Sequence, residues 1–352
     1  STLPILSCVA LRFVDGAVEA VSTNLDQYHR LTLPTTSATG TKGAGACVAL
    51  GLFTALLARC NGDVATIEIT DGKLTLTSAG RVASLMTLPI AEFPEMGVRP
   101  TEWVTIDGTV LARAIEGVAF AVSDDSTRYV LNGIHFTDDA LVVATDGKRL
   151  ARMSYAGHVA SVPGPLDGII LPTQALAALV DIFGRGGAMQ VGGDTEEGGI
   201  TFRTLSGDEE YYTRKIEGRY PNFRQVIPSF NAPVTVKVAR AAMLHALAWA
   251  RLYRNKLGTV KLHTEGSHLV ITATSPEVGD AVEHIDLLTP VKGNFVCTLD
   301  LDYLTDMVDR DGGEAFQIVS EPDLSTGVVL SPLLVREDSE DFLGLLMPMR
   351  TM

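Results

Sequence analysis

The sequence predicts an α+β protein of three similar domains, each combining helices with antiparallel sheets. Three observations point there. The chain repeats the same order of patterns three times, weakly. Within a repeat, short β-branched runs alternate with turn residues, and helical periodicity is confined to one or two segments, without the strand-helix-strand rhythm of a parallel sheet. A length of 352 residues with 46% apolar side chains is long for one domain and ample for several cores.

Each repeat contains an apolar strand pair that ends at a threonine turn: residues 19–24 with Thr23, 142–146 with Thr145, and 270–275 with Thr274. The threonines stand roughly 120 to 130 positions apart, a common size for a domain. An amphipathic helix follows in each, at 49–58, 173–183 and 300–309. Leu52, Leu56 and Leu57 recur at helical spacing in the first, and Leu176, Leu179 and Ile182 in the second. Gly62, Gly184 and Gly312 stand where such helices would stop. Apolar segments with proline close the repeats, at 88–94, 220–228 and 346–348. The second and third repeats also open with a helix, at 108–122 (Leu111, Ile115, Ala119) and 238–252 (Met243, Leu247, Leu252), which the first lacks. Proline and polar clusters at 94–100 and 228–233 divide the chain into domains 1–100, 101–230 and 231–352.

The net charge of -14 excludes a protein that is basic all over. A nucleic-acid role requires its 28 basic residues to be gathered on one surface, because bulk electrostatics repel phosphate. The alternative on charge is an acidic protein without such a partner. No run has transmembrane length and no leader pattern opens the chain, so a soluble cytoplasmic protein without a membrane partner is expected. Cys8, Cys47, Cys60 and Cys297 lack metal or disulfide spacing and read as reduced thiols.

The seven histidines, His29, His135, His158, His245, His263, His268 and His284, form no motif, and no HExxH or GxSxG pattern occurs. The glycine-rich residues 40–45 lack the phosphate-loop ending and read as a flexible loop. Asp124-Asp125 and Asp138-Asp139 read as solvated turn charges. No catalytic activity, cofactor or metal is expected, and a hydrolase remains only a formal alternative.

The richest stretch is 127–152, TRYVLNGIHFTDDALVVATDGKRLAR. Its apolar runs 130–136 and 141–145 flank a polar turn, which predicts a hairpin. Asp146-Gly147 then turns the chain before Lys148, Arg149 and Leu150. Such an edge offers an apolar floor, open backbone and a cationic rim, and fits an ordinary hairpin or a binding edge alike. The tail at 345–349, Leu-Leu-Met-Pro-Met, is unusually apolar for a terminal segment, and methionine suits a surface that adapts to several partners.

These segments carry a resemblance. RYVLNGIHF with VVATDGKRLA resembles the central-domain signature of the bacterial sliding clamp, the beta subunit of DNA polymerase III. Residues 218–223, GRYPNF, resemble that family's GRFPDY, and 346–350, LMPMR, its VMPMR. The three motifs keep the family's order and spacing across nearly the whole chain. The resemblance implies the DNA-clamp fold and a non-catalytic processivity factor. Such a factor dimerises head to tail into a ring around duplex DNA and is placed there by a clamp loader. It holds replicative and repair polymerases through short linear peptides.

By resemblance, the peptide pocket comprises Leu131, Thr145, Gly147, Lys148, Arg149, Leu150, Pro221, Gln225, Val226, Leu345, Met347, Pro348, Met349 and Arg350. Helices lining the ring would present Arg113, Arg240, Arg251, Arg254 and Lys256 to phosphate, and Arg128 and Tyr129 match the family's channel loop. Without the resemblance, these cations read as solvated helix ends. The dimer contact would use the 80–86 strand, with Ala83, against Leu252 and Tyr253 of a second copy. Several positions depart from the family: Val130 replaces an aromatic residue, Lys148 a histidine, Gln225 a common arginine and Ala83 an aromatic residue. The family's opening strand and helix have no counterpart here. That departure motivates an alternative: a specialised paralogue or peptide-binding decoy that does not encircle DNA.

Overall fold

The computed structural model describes residues 3–14, 16–37, 39, 41–62, 64–70, 72–97, 99–155, 164–193, 198–310, 313–336 and 341–350. His158, Gly40 and Gly312 lie outside them. The described α-helices are α1 (Leu50–Leu57), α2 (Gly108–Ala119), α3 (Thr173–Gly184), α4 (Arg240–Arg251) and α5 (Leu301–Asp309). All five lie on expected segments and end within three residues of the expected limits. The start of α5 is chemically explicit, since the Asp300 carboxylate accepts from the Asp302 and Tyr303 N–H groups at 2.9 and 3.1 Å. Among the described residues no helix is long and apolar enough to cross a membrane.

One expected strand is corrected. The run 130–136 is extended only over Gly133–Phe136, and residues Ser126–Leu131 form a 3-10 helix. Asp125 caps it, accepting from the Thr127 N–H at 3.0 Å and the Thr127 hydroxyl at 2.7 Å. A local side-chain bond to backbone therefore overrides the β preference of Val130.

The chain packs as two compact units. The first comprises Ser1–Gly108, Pro163–Leu166 and Gly186–Lys215. Its nine-stranded antiparallel sheet runs in the order Leu88–Pro89, Gly45–Ala49, Cys8–Val14, Ala17–Thr23, Gln27–Pro34, Glu209–Arg214, Gly199–Thr204, Ala188–Gly193, Val104–Asp107. Val9, Leu11 and Val48 pack with Phe53 of α1 and with Leu74, Leu76 and Leu85 of a three-stranded sheet. Cys8, Ala10 and Cys47 pack on the other face with Tyr28, Phe93 and Tyr212. Covering both faces explains why the strand from Cys8 to Leu11 is apolar throughout rather than alternating. At the long-range seam, Gln27–Pro34 pairs with Glu209–Arg214. There Arg30 reaches Glu210 at 2.5 Å and Glu19 at 3.4 Å, and His29 reaches Glu209 at 2.9 Å.

The second unit comprises Thr109–Val162, Asp167–Arg185 and Ile216–Met352. Its eight-stranded sheet runs Ile170–Pro172, Gly133–Phe136, Leu141–Thr145, Arg149–Ser154, Phe342–Leu346, Leu333–Arg336, Ala315–Ser320, Val234–Ala239. A four-stranded sheet runs Gly279–Asp286, His268–Ser275, Thr259–Glu265, Val296–Asp300. The apolar tail forms a central strand, and every residue of Phe342–Leu346 is buried. Leu343 and Leu345 join a core with Leu131, Leu150, Tyr220 and Phe223. Near the other face a side chain at Gly344 would meet Met307 of α5, so glycine there permits the close approach.

Candidate functional site

The tail and the Thr145–Leu150 turn build one surface of the second unit. The strand Phe342–Leu346 pairs with Arg149–Ser154, placing Leu345 opposite Leu150 and Leu346 opposite Arg149. The tail continues past the strand. Met347 donates its N–H to the Lys148 carbonyl at 3.0 Å, and Met349 donates its N–H to the Thr298 carbonyl at 2.8 Å. Alternate tail residues are thus fastened to two different sheets of this unit.

The turn is held by its own side chains. Asp146 Oδ1 accepts from the Lys148 and Arg149 N–H groups at 2.8 and 2.9 Å. Thr145 Oγ1 accepts from the Gly147 N–H at 3.1 Å and donates to the Arg149 carbonyl at 2.6 Å. Gly147 has φ of +89°, and this backbone conformation selects glycine; a Cβ there would stand 2.6 Å from Arg128 Nη1, a contact that the flexible arginine end can relieve. Arg149, with its side chain 10% exposed, donates Nε–H to Asp146 at 3.0 Å and Nη1–H to Asp306 at 2.5 Å. Its guanidinium also lies over the Tyr303 ring at 4.3 Å and the Phe120 ring at 5.5 Å.

The structure places the expected pocket residues at two depths. Leu131, Leu150 and Leu345 are buried beneath the surface, so they support a floor rather than form its open part. Val226 and Met347 are the apolar side chains that face out, 52% and 43% exposed. Thr145, Pro348 and Met349 are half-buried; Gly147, Lys148, Pro221, Gln225 and Arg350 are exposed. The 3-10 turn Phe223–Val226 presents Val226 and Gln225. It is tied down by Arg224, whose Nη2 reaches both Asp139 oxygens at 2.8 Å.

Asp139 is the exposed turn charge expected of it, its side chain 52% exposed, and it also pairs with Arg224. Burial alone would raise its pKa, but hydrogen bonds from Thr137 and Arg224 outweigh that and hold the carboxyl below its ordinary range. Tyr220 is buried and stacks on His135 at 4.7 Å between centroids. Burial pushes the Tyr220 phenol far up and, despite the Ile169 carbonyl at His135, pulls His135 down.

The expected DNA-contacting cations do not form one uniform set. Arg113 is exposed on α2, and Tyr129 is 58% exposed. Arg128 pairs with Asp125 at 3.0 Å. Arg240 instead donates to the Val308 and Asp309 carbonyls at 2.6 and 2.7 Å, capping the C-terminal end of α5. Arg251 and Arg254 share Asp302 at 2.8 and 2.6 Å, and Lys256 reaches Glu277 at 3.6 Å.

Two sheet edges stand out. Arg81–Met86 is the last strand of its sheet, with Ala83 half-buried and Val82 and Met86 68% and 81% exposed. Gly279–Asp286 is the last strand of the four-stranded sheet and carries Asp280, Glu283 and Asp286 with an exposed Val282. Nearby, Leu252 is 65% exposed and Tyr253 half-buried. The second edge was missed in the sequence reading; its alternation of buried Ala281 and Ile285 with polar neighbours was the available signal. Among the described residues no group of three or more His, Cys, Asp or Glu is arranged to hold a metal.

Comparison with known proteins adds findings of three kinds. Residues 105–222 match the family described as DNA polymerase III beta subunit, central domain. The beta sliding clamp of Escherichia coli K12 is 29% identical over 302 residues, covering 81% of this chain and 77% of that protein. The beta sliding clamp of Salmonella typhimurium is 28% identical over 296 residues with the same coverage. Among solved structures, a DNA polymerase sliding clamp from Pseudomonas aeruginosa with ligand shares the fold with a TM-score of 0.88 at 23% identity, covering 100% of this chain and 94% of the other. A sliding clamp from Bartonella birtlesii bound to griselimycin superposes with a TM-score of 0.86 at 24% identity, covering 100% and 93%.

Proposed function

Because this chain belongs with the bacterial beta sliding clamps, we propose that it is a processivity clamp that encircles duplex DNA and tethers polymerases to it. Its work is mechanical rather than catalytic. A ring that surrounds the duplex needs no tight or sequence-specific contact, which suits a molecule of net charge -14. We read the chain as three repeated domains at 1–100, 101–230 and 231–352, acting in the cytoplasm.

Ring closure joins two copies head to tail. The Arg81–Met86 edge, with a cation and exposed apolar side chains, complements the acidic and apolar Gly279–Asp286 edge of a second copy, with Leu252 and Tyr253 beside it. Unpaired strand edges of this kind invite pairing with another chain. Arg113, Arg128, Tyr129, Arg251, Arg254 and Lys256 supply the phosphate-facing surface. Arg240 holds α5 in place there.

Partner proteins dock through short peptides of the QLxLF type beside Thr145–Leu150. The observation that carries this reading is the apolar tail, fastened at Lys148 and Thr298, with Val226 and Met347 left exposed beside it. Burying one leucine or phenylalanine side chain is worth roughly 1.5–3 kcal/mol. Two anchors less ordering costs give about micromolar affinity, weak enough for partners to exchange.

The test is retention on DNA. Loaded on nicked circular DNA by a clamp loader, the protein should remain bound until the circle is cut. Retention after linearisation would exclude encirclement. A monomer at every concentration in light scattering would exclude a self-closing ring.

A further inference from the structure

We propose that a second groove, on the four-stranded sheet, takes an extended acidic and apolar peptide segment that continues the partner peptide seated beside Thr145–Leu150. This rests on the peptide-binding reading above and extends it. The groove has a volume of about 1500 Å³ and mostly apolar walls, among them Leu257, Leu330 and Met349. Four cations line it, Arg254, Lys256, Lys261 and Arg350, against one carboxylate, Glu277. That local excess is the reverse of the chain's overall balance.

The cations differ in what they are free to do. Arg254 is held by Asp302 and Lys256 by Glu277. Lys261 stands in register with Thr272 on one neighbouring strand and Thr298 on the other. Among the described residues no carboxylate pairs with Lys261 or with Arg350. An exposed lysine that stands in register with two threonines and has no carboxylate partner among the described residues can receive a carboxylate from a ligand. Arg254 and Lys256 belong to the phosphate-facing surface proposed above, so the peptide would use Lys261 and Arg350 beside the apolar walls.

Continuity with the first pocket comes from the tail. Met347 lies at Lys148, while Met349 lies at Thr298 and lines the groove. Two tail residues therefore span the distance between the two sites. A peptide leaving the first site along the tail reaches Lys261 within a few extended residues, at about 3.3 Å each.

The test uses the full chain and calorimetry. One ligand is QLDLF, and two others carry a DLEL extension at its N- or C-terminal end. One extended peptide should bind about tenfold tighter than QLDLF. Lys261→Glu should erase that gain and leave QLDLF binding unchanged. The groove assignment is overturned if neither extension gains affinity, if a KLKL extension gains as much, or if Lys261→Glu leaves the gain intact. Displacement of the extension by a short duplex would assign the cations to phosphate instead. Absence of QLDLF binding would sink both this proposal and the pocket reading, whereas equal binding of all three peptides would sink this one alone.

Discussion

Two turns of the second unit carry basic side chains, and they hold them in opposite ways. At Thr145–Leu150 the Arg149 guanidinium is walled in by two aspartates and two aromatic rings. At 251–258 the backbone is equally well scaffolded. The Asn255 side-chain oxygen Oδ1 accepts from the Leu257 and Thr259 N–H groups at 3.0 and 3.2 Å, and its Nδ2 donates to Thr259 Oγ1 at 2.9 Å and the Thr274 carbonyl at 3.1 Å. Yet Arg251 and Arg254 lie about half exposed, 51% and 50%, with one shared carboxylate. The lesson is that a fixed backbone does not by itself fix a charge. A desolvated guanidinium with matched partners defines a shape, whereas an exposed one supplies a field that salt screens.

The largest test of this contrast removes the tail. A chain lacking residues 347–352 should lose QLDLF binding altogether, because the tail makes the pocket's exposed edge. The dimer, resting on other strands, should persist in light scattering. Equal affinity for the intact and shortened chains would show the tail to be a structural end and nothing more.

Next comes Arg149→Ala. It takes the guanidinium from Asp146 Oδ2, in a side chain 13% exposed that keeps two backbone N–H donors at Oδ1, and should cost about 2 kcal/mol in unfolding free energy. Urea unfolding and calorimetry together should show lowered stability and peptide affinity reduced at least about tenfold. An unchanged midpoint would mean that the enclosure does not matter.

The exposed turn should respond differently. Arg251→Ala with Arg254→Ala should change stability by no more than about 0.5 kcal/mol. It should reduce loading on DNA several-fold, equally across sequences and less so at high salt. A stability loss comparable to that of Arg149→Ala would erase the distinction between the two turns.

The smallest effect concerns His135. Burial holds its folded pKa below the ordinary 6.5, so the unfolded chain binds the proton more readily. Its contribution is complete above that value and declines as pH falls through 6.5 towards the folded pKa. His135→Gln should flatten that part of the profile in urea unfolding between pH 7.5 and 5.5. An identical slope in the variant would remove His135 from the account.

Much of this was legible in one dimension. Helical periodicity located the five described helices, and the dipeptide Asp146-Gly147 located the turn after the strand Leu141–Thr145, because both depend on neighbours a few residues apart. What was not legible depends on pairing at long range. No local pattern announces that Arg30 meets Glu210, or that Gln27–Pro34 lies beside Glu209–Arg214 in one sheet. Leu150 and Leu345 entered the pocket by resemblance, and only the pairing of their strands shows them buried in the core. Arg240 read as one more cation of a helix; only the position of the end of α5 shows it to be a cap.

The fastening of the tail also has a consequence in time. Arg149 and Asp306, which brace the turn, lie 157 positions apart, and the tail strand that completes the surface lies farther along still. During synthesis the Thr145–Leu150 turn emerges long before either. A partner peptide would therefore find no finished seat on a partly made chain. Docking competence would arrive only once residue 347 had been made, so binding itself would report that synthesis had passed it.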